Sequence, residues 1–159
     1  MLDLPAWGVK QGYGSFITFD FGEPTLRVSE RRSEGKVIDR SAYAQGAFHL
    51  WIYCCHWRAF RDDVVLAWSE DEKEIIYRAT GVLEGQKLVS IALDPVRGTS
   101  TFSFDLGGRL ETWPYGDDPT LEQWMIFGGG DVFVYRADGL YDCKPGDTPP
   151  DKERWLAFR

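Results

Sequence analysis

The sequence predicts a β-dominant α+β fold: antiparallel meander sheets, arranged as a sandwich or a partly open barrel, with one main helix at about residues 70–84 and a short helix near the C-terminal end. Three observations carry this. Segments rich in aromatic and β-branched residues recur along the chain, some alternating and some apolar on both parities. Turn signals such as Gly-Glu-Pro, Gly-Gly and Asp-Gly separate them at short intervals. One stretch alone has helical apolar spacing with acids gathered at its start. One domain over residues 1–159 is expected, because a chain of this size, 43% hydrophobic and 15% aromatic, buries roughly 70% of its unfolded surface.

Taken in order, Tyr13–Phe21 alternates, with Ile17, Phe19 and Phe21 on one side and Thr18 and Asp20 on the other, and reads as a half-buried strand. Gly22-Glu23-Pro24 turns the chain into a second strand near Thr25–Arg32, and Ser33–Lys36 turns it again. Ala47–Trp57 is apolar on both parities, which predicts one strand covered on both faces at the centre of the main sheet. A short strand, Val64–Trp68, follows Asp62-Asp63.

Ser69-Glu70-Asp71-Glu72 has the pattern of a capping box, in which the Ser oxygen accepts from the third helical amide and the Glu reaches back to the Ser amide. The expected helix presents Ile75, Ile76, Ala79, Val82 and Leu83 on one face and ends at Gly85, with Gly81 as an internal cost of about 1 kcal/mol. Strands resume at Lys87–Leu93 and at Thr99–Leu106, the latter joined through Gly107-Gly108 to Arg109–Trp113 as a hairpin. Pro119–Gln123 reads as a helical turn. Trp124–Phe127, Val132–Arg136 and Leu140–Cys143 form a last meander, and Asp151–Arg159 reads as a short helix with Trp155 and Phe158 on one side. Ile17–Gly22 and Phe102–Gly107 share a pattern, a short internal likeness that fits two related hairpins.

Three cysteines, two of them adjacent (Cys54, Cys55, Cys143), do not make a disulfide framework and fit a reducing compartment. With no basic-flanked apolar leader at the first residues and no apolar run of about 18–20 residues, the expectation is a cytoplasmic protein with no membrane partner. The net charge of −7 argues against nucleic acid, whose binding depends on neutralising phosphates. That charge is lopsided. Residues 1–68 hold eight acids and eight bases, so 17 of the 25 acids and only 10 of the 18 bases fall in residues 69–159. An acidic face that attracts a basic partner is the functional reading and simple solubility the bland one.

No cofactor or metal is expected. Cys54, His56 and His49 lack zinc-ligand spacing, and Cys54 with His56 on one strand lacks an orienting third group for nucleophilic catalysis. Asp20 and Asp105 precede turn glycines and are expected to accept backbone amides. The glycines at Gly8, Gly12 and Gly14 and at Gly128–Gly130 lack the lysine and the strand–helix context of a phosphate loop and read as turns.

Candidate partner-binding residues are the acids Glu70, Asp71, Glu72, Glu74, Asp117 and Asp118 with the nearby aromatics Trp113 and Tyr115. Acids would steer association and aromatic rings would anchor it. The segments Phe48–Trp57 and Phe102–Glu111 resemble small bacterial proteins found among the immunity proteins of polymorphic toxin systems. The resemblance carries no catalytic or binding residue. It implies a non-catalytic cytoplasmic inhibitor that neutralises a cognate toxin by stoichiometric binding, the protein partner being a basic toxin domain. A small-ligand-binding β-sandwich or barrel, and a small hydrolase using Cys54, His56 or the turn aspartates, are the alternatives.

Overall fold

The computed structural model describes residues 1–158. Fourteen strands and one α-helix follow in order: β1 (Ala6–Gln11), β2 (Ile17–Phe21), β3 (Thr25–Ser33), β4 (Lys36–Gln45), β5 (Phe48–Ile52), β6 (Cys55–Arg61), β7 (Val64–Trp68), α1 (Lys73–Leu83), β8 (Leu88–Asp94), β9 (Thr99–Phe104), β10 (Gly108–Pro114), β11 (Glu122–Gly128), β12 (Asp131–Arg136), β13 (Leu140–Pro145) and β14 (Leu156–Ala157). All named pairings are antiparallel. The β-dominant expectation holds, in the form of open packed sheets and not a closed barrel.

A seven-stranded sheet runs β1-β2-β5-β11-β12-β13-β14 and a five-stranded sheet runs β7-β6-β10-β9-β8. Their inner faces share one core. Phe19 of β2 stacks on Phe104 of β9 at 5.9 Å, and Phe102 meets Trp124 edge-on at 5.3 Å. The Trp124 indole donates to Ser100 Oγ at 2.9 Å, so this ring also ties the sheets by a buried hydrogen bond. The helix α1 packs on the edge strands β1 and β7 and sends Ile76, Ala79 and Leu83 into the core.

The segment expected to be one central strand is two. The chain leaves the first sheet after Ile52, turns at Tyr53-Cys54 and enters the second sheet at Cys55. The turn needs Cys54 at φ 20°. Ile52, Cys55 and Trp57 are all buried, and both parities read as apolar because the two strands face the same core from opposite sheets.

The helix begins at Lys73, three residues later than expected, and no capping box forms. Its N-cap is Glu72, whose side chain makes no capping bond. The Ser69 hydroxyl faces His56 Nδ1 instead, and Asp71 Oδ2 accepts the Trp68 amide at 2.8 Å, which holds Ser69–Asp71 in a turn. Pro119–Gln123 is a β-turn followed by the start of β11, not a helical turn: the Leu121 amide reaches the Asp118 carbonyl. The C-terminal helix is replaced by a single 3-10 turn at Pro150–Lys152 and the short strand β14, which pairs with β13. Phe158 packs on Tyr141 at 4.4 Å, while Trp155 is covered by Arg136 at 4.5 Å. Arg159, the last residue of that expected helix, lies outside the described residues.

Asp20 and Asp105 do accept backbone amides, from Gly46 at 2.9 Å and Lys87 at 2.8 Å. Gly129 and Gly130, both at positive φ, make the β11–β12 turn. The largest departure from a simple meander is β3–β4. Among the described residues these strands pair with each other and with no other strand, and nearly every residue in them is exposed.

Candidate functional site

At one end of the packed sheets, the end of β1 (Gln11), the β1–β2 turn (Gly14, Ser15, Phe16), the corner Cys54-Cys55, the β7–α1 connection (Ser69, Glu70, Asp71, Lys73) and the β10–β11 connection (Tyr115, Leu121) surround a cleft of about 680 Å³. Its walls are fixed from below. Trp57 is buried and its indole donates to the Ser15 carbonyl at 2.6 Å. The Tyr53 amide and the Cys55 thiol both reach the Gln123 carbonyl, at 2.9 and 3.4 Å.

His56 sits beside this cleft because alternation along β6 turns Trp57 and Ala59 inward and His56 and Arg58 outward. In register, His56 faces Trp113 of β10, and Arg58 faces Trp68 of β7. The imidazole is stacked with Trp113 at 5.6 Å and with Trp68 at 6.3 Å, and Tyr115 tilts over it at 4.8 Å. His56 Nδ1 lies 3.2 Å from Ser69 Oγ and 3.5 Å from Glu70 Oε1. The Arg58 guanidinium lies over the Trp113 ring at 5.5 Å.

This arrangement does not assemble a relay. A serine–histidine–acid triad places the hydroxyl and the carboxylate on opposite ring nitrogens, whereas Ser69 and Glu70 share one. Cys54 makes no hydrogen bond to His56 among the described residues. Burial, and then the Glu122 carboxylate, raise the Cys54 thiol above its ordinary value, the opposite of the activation a nucleophilic cysteine needs. Cys55 is raised further by burial. Glu122 itself accepts the Tyr53 hydroxyl, and burial followed by that bond keeps the Tyr53 phenol protonated. Among the described residues no three His, Cys, Asp or Glu side chains converge as metal ligands, and all three cysteines are free thiols.

Of the expected partner-binding residues, the fold brings Glu70, Asp71 and Tyr115 onto the cleft and Trp113 beside it, against His56. Glu72 and Glu74 are exposed at the helix start, outside the cleft wall. Asp117 and Asp118 belong to the same connection as Tyr115 but do not line the cleft. Asp118 is turned back on its own loop, where its carboxylate accepts the Thr120 amide and hydroxyl at 2.8 and 2.7 Å; these bonds hold it below the usual carboxylate range. Ser69, Phe16, Gln11 and Lys73 carried no signal in the sequence as members of a site. His56 did, but as a partner for Cys54 and not as the centre of an aromatic stack.

No helix among the described residues is long and apolar enough to cross a membrane. No protein-family model, curated protein or solved structure matches the chain.

Proposed function

We propose that this is a non-catalytic binding protein of the immunity type, which neutralises a cognate basic toxin domain in the cytoplasm by stoichiometric binding. The observation that supports this reading is the meeting of acid and aromatic residues at one cleft: Glu70 and Asp71 stand beside Tyr115, His56 and Trp113. A lysine or arginine of the partner, entering there, gains a carboxylate and an exposed ring face at once. The excess of acids in residues 69–159 adds steering of a basic partner.

The test is capture of the partner by the whole protein in its native cell, followed by binding measurements at low and high salt. Glu70→Lys is expected to slow association and to flatten its salt dependence. Tyr115→Ala is expected to speed dissociation, since the ring is 55% exposed and free to act as an anchor. An acidic partner, or affinity indifferent to salt and to both substitutions, refutes the reading.

The volume of the cleft, about 680 Å³, also suits a small ligand. That second reading predicts a thermal shift with small organic cations in the absence of any protein partner.

A further inference from the structure

The β3–β4 ribbon is the distal half of one long hairpin. Its proximal half is the β2–β5 pair, in register from Ile17↔Ile52 to Phe21↔Phe48, and pairing resumes beyond the kink at Thr25↔Gln45. The root is rigid. Asp20, itself buried, accepts the Gly46 amide at 2.9 Å and lies 3.0 Å from His49 Nδ1. A Cβ at Gly46 would stand 2.5 Å from the Phe21 carbonyl oxygen. The ribbon is therefore held out from the body in a set direction and is not a slack loop.

Beyond the root both faces are open. Leu26 pairs with Ala44 and Val28 with Ala42, which makes an apolar patch on the half of one face nearest the root, followed on that face by the Glu30–Arg40 pair, and Leu26 is 71% exposed. The opposite face carries Arg27, Ser29 and Arg31 beside Tyr43, Ser41 and Asp39. Residues 25–45 contain five bases and three acids, a net +2, so the rest of the chain carries −9. Glu30 holds Arg32 and Arg40 at 2.8 and 2.7 Å, while Arg27, Arg31 and Lys36 make no ion pair among the described residues. A lone two-stranded ribbon is marginal in water, and this one has an apolar patch that no other element among the described residues covers.

We propose that the ribbon is a dimerisation arm, and that its occupant is the body of a second copy of this chain. Charge favours that partner: a basic arm complements a body of the opposite sign, and every copy supplies one of each. Area favours it too. Ten residues of strand extend about 30 Å, so one ribbon face offers roughly 300 Å² and a single docked arm buries roughly 600 Å² in all. That is below the roughly 1,200 Å² of a stable interface. Two arms exchanged about a two-fold axis reach it, as an isologous contact requires. The basic toxin proposed as partner for the acidic cleft is the wrong sign for the arm.

Sedimentation equilibrium of the full chain tests this. The expected species at low salt is a dimer of twice 18.2 kDa. Leu26→Ser with Val28→Ser, on the docked face, is expected to raise the dimer dissociation constant at least about tenfold, and Arg27→Glu with Arg31→Glu, on the opposite face, to raise it at low salt by turning the long-range attraction of arm and body into repulsion. Near-UV circular dichroism should be unchanged, because none of these side chains reaches the core. Added salt should weaken the wild-type dimer more than the charge-reversed one. A chain that stays monomeric up to roughly 100 μM, or a dimer indifferent to both arm variants, overturns the proposal. So does a monomer whose arm retards duplex DNA or captures an unrelated protein.

Discussion

Ser69 Oγ and Glu70 Oε1 both approach Nδ1 of His56, at 3.2 and 3.5 Å, and this sharing of one nitrogen decides what the histidine can do. It orients the ring and positions it under Tyr115, with no proton path toward Cys54. A second residue whose chemistry depends on its surroundings is Tyr135. It is fully buried, its hydroxyl has no protein partner among the described residues, and burial, aided by the charges of Asp94 and Asp138, pushes its phenol up to about 12. The fold thus prefers the neutral phenol. Its contribution is fully present below the ordinary value near 10 and is lost as pH rises toward about 12. Thermal midpoints measured across that window should fall in the wild type. Tyr135→Phe should flatten that fall and, at neutral pH, be neutral or more stable by about 1 kcal/mol, since an unpaired buried hydroxyl is removed. A large loss of stability at neutral pH would mean that the hydroxyl is satisfied.

Among the elements, α1 and the β3–β4 root give opposite expectations for the same substitution. Gly81 lies on the exposed side of the helix, and a Cβ there meets nothing within 4 Å. Gly81→Ala should therefore stabilise by about 1 kcal/mol through helix propensity. At Gly46 a Cβ collides with the Phe21 backbone, so Gly46→Ala should destabilise by about 1–3 kcal/mol. Denaturant titration of the two variants side by side checks both signs. Element type was legible from local pattern in most strands: Val64–Trp68 needed only its apolar run after the break at Asp62-Asp63, and the meander from Trp124 to Cys143 its strand-like segments and turn residues. The boundary of α1 was not, because Ser69 had a tertiary alternative to capping in His56, which is 13 positions away.

For the molecule as a whole, Trp124 is the joint between the sheets. It is buried, stacks with Phe133 and Tyr135 at 5.4 and 5.2 Å, and reaches across to Ser100. Trp124→Ala should cost about 3–5 kcal/mol, read as a lowered denaturant midpoint with loss of near-UV signal. If the cost were below 1 kcal/mol, the two sheets would not share the core described.

The sequence by itself determined the β-dominant class, the single main helix, most turns and the amide-accepting roles of Asp20 and Asp105, because these follow from period, backbone freedom and local hydrogen bonding. It also placed acids and aromatics among the candidate binding residues. Only the tertiary structure split Ala47–Trp57 between two sheets, since a strand buried on both faces and two strands facing one core from opposite sides leave the same apolar pattern. It alone gathered residues from Gln11 to Leu121 at one cleft and turned Asp118 away from it. It alone sent β3–β4 out from the body. Alternation along that ribbon looks like that of any half-buried strand, and whether a second surface lies against its apolar face is decided by where the rest of the chain goes.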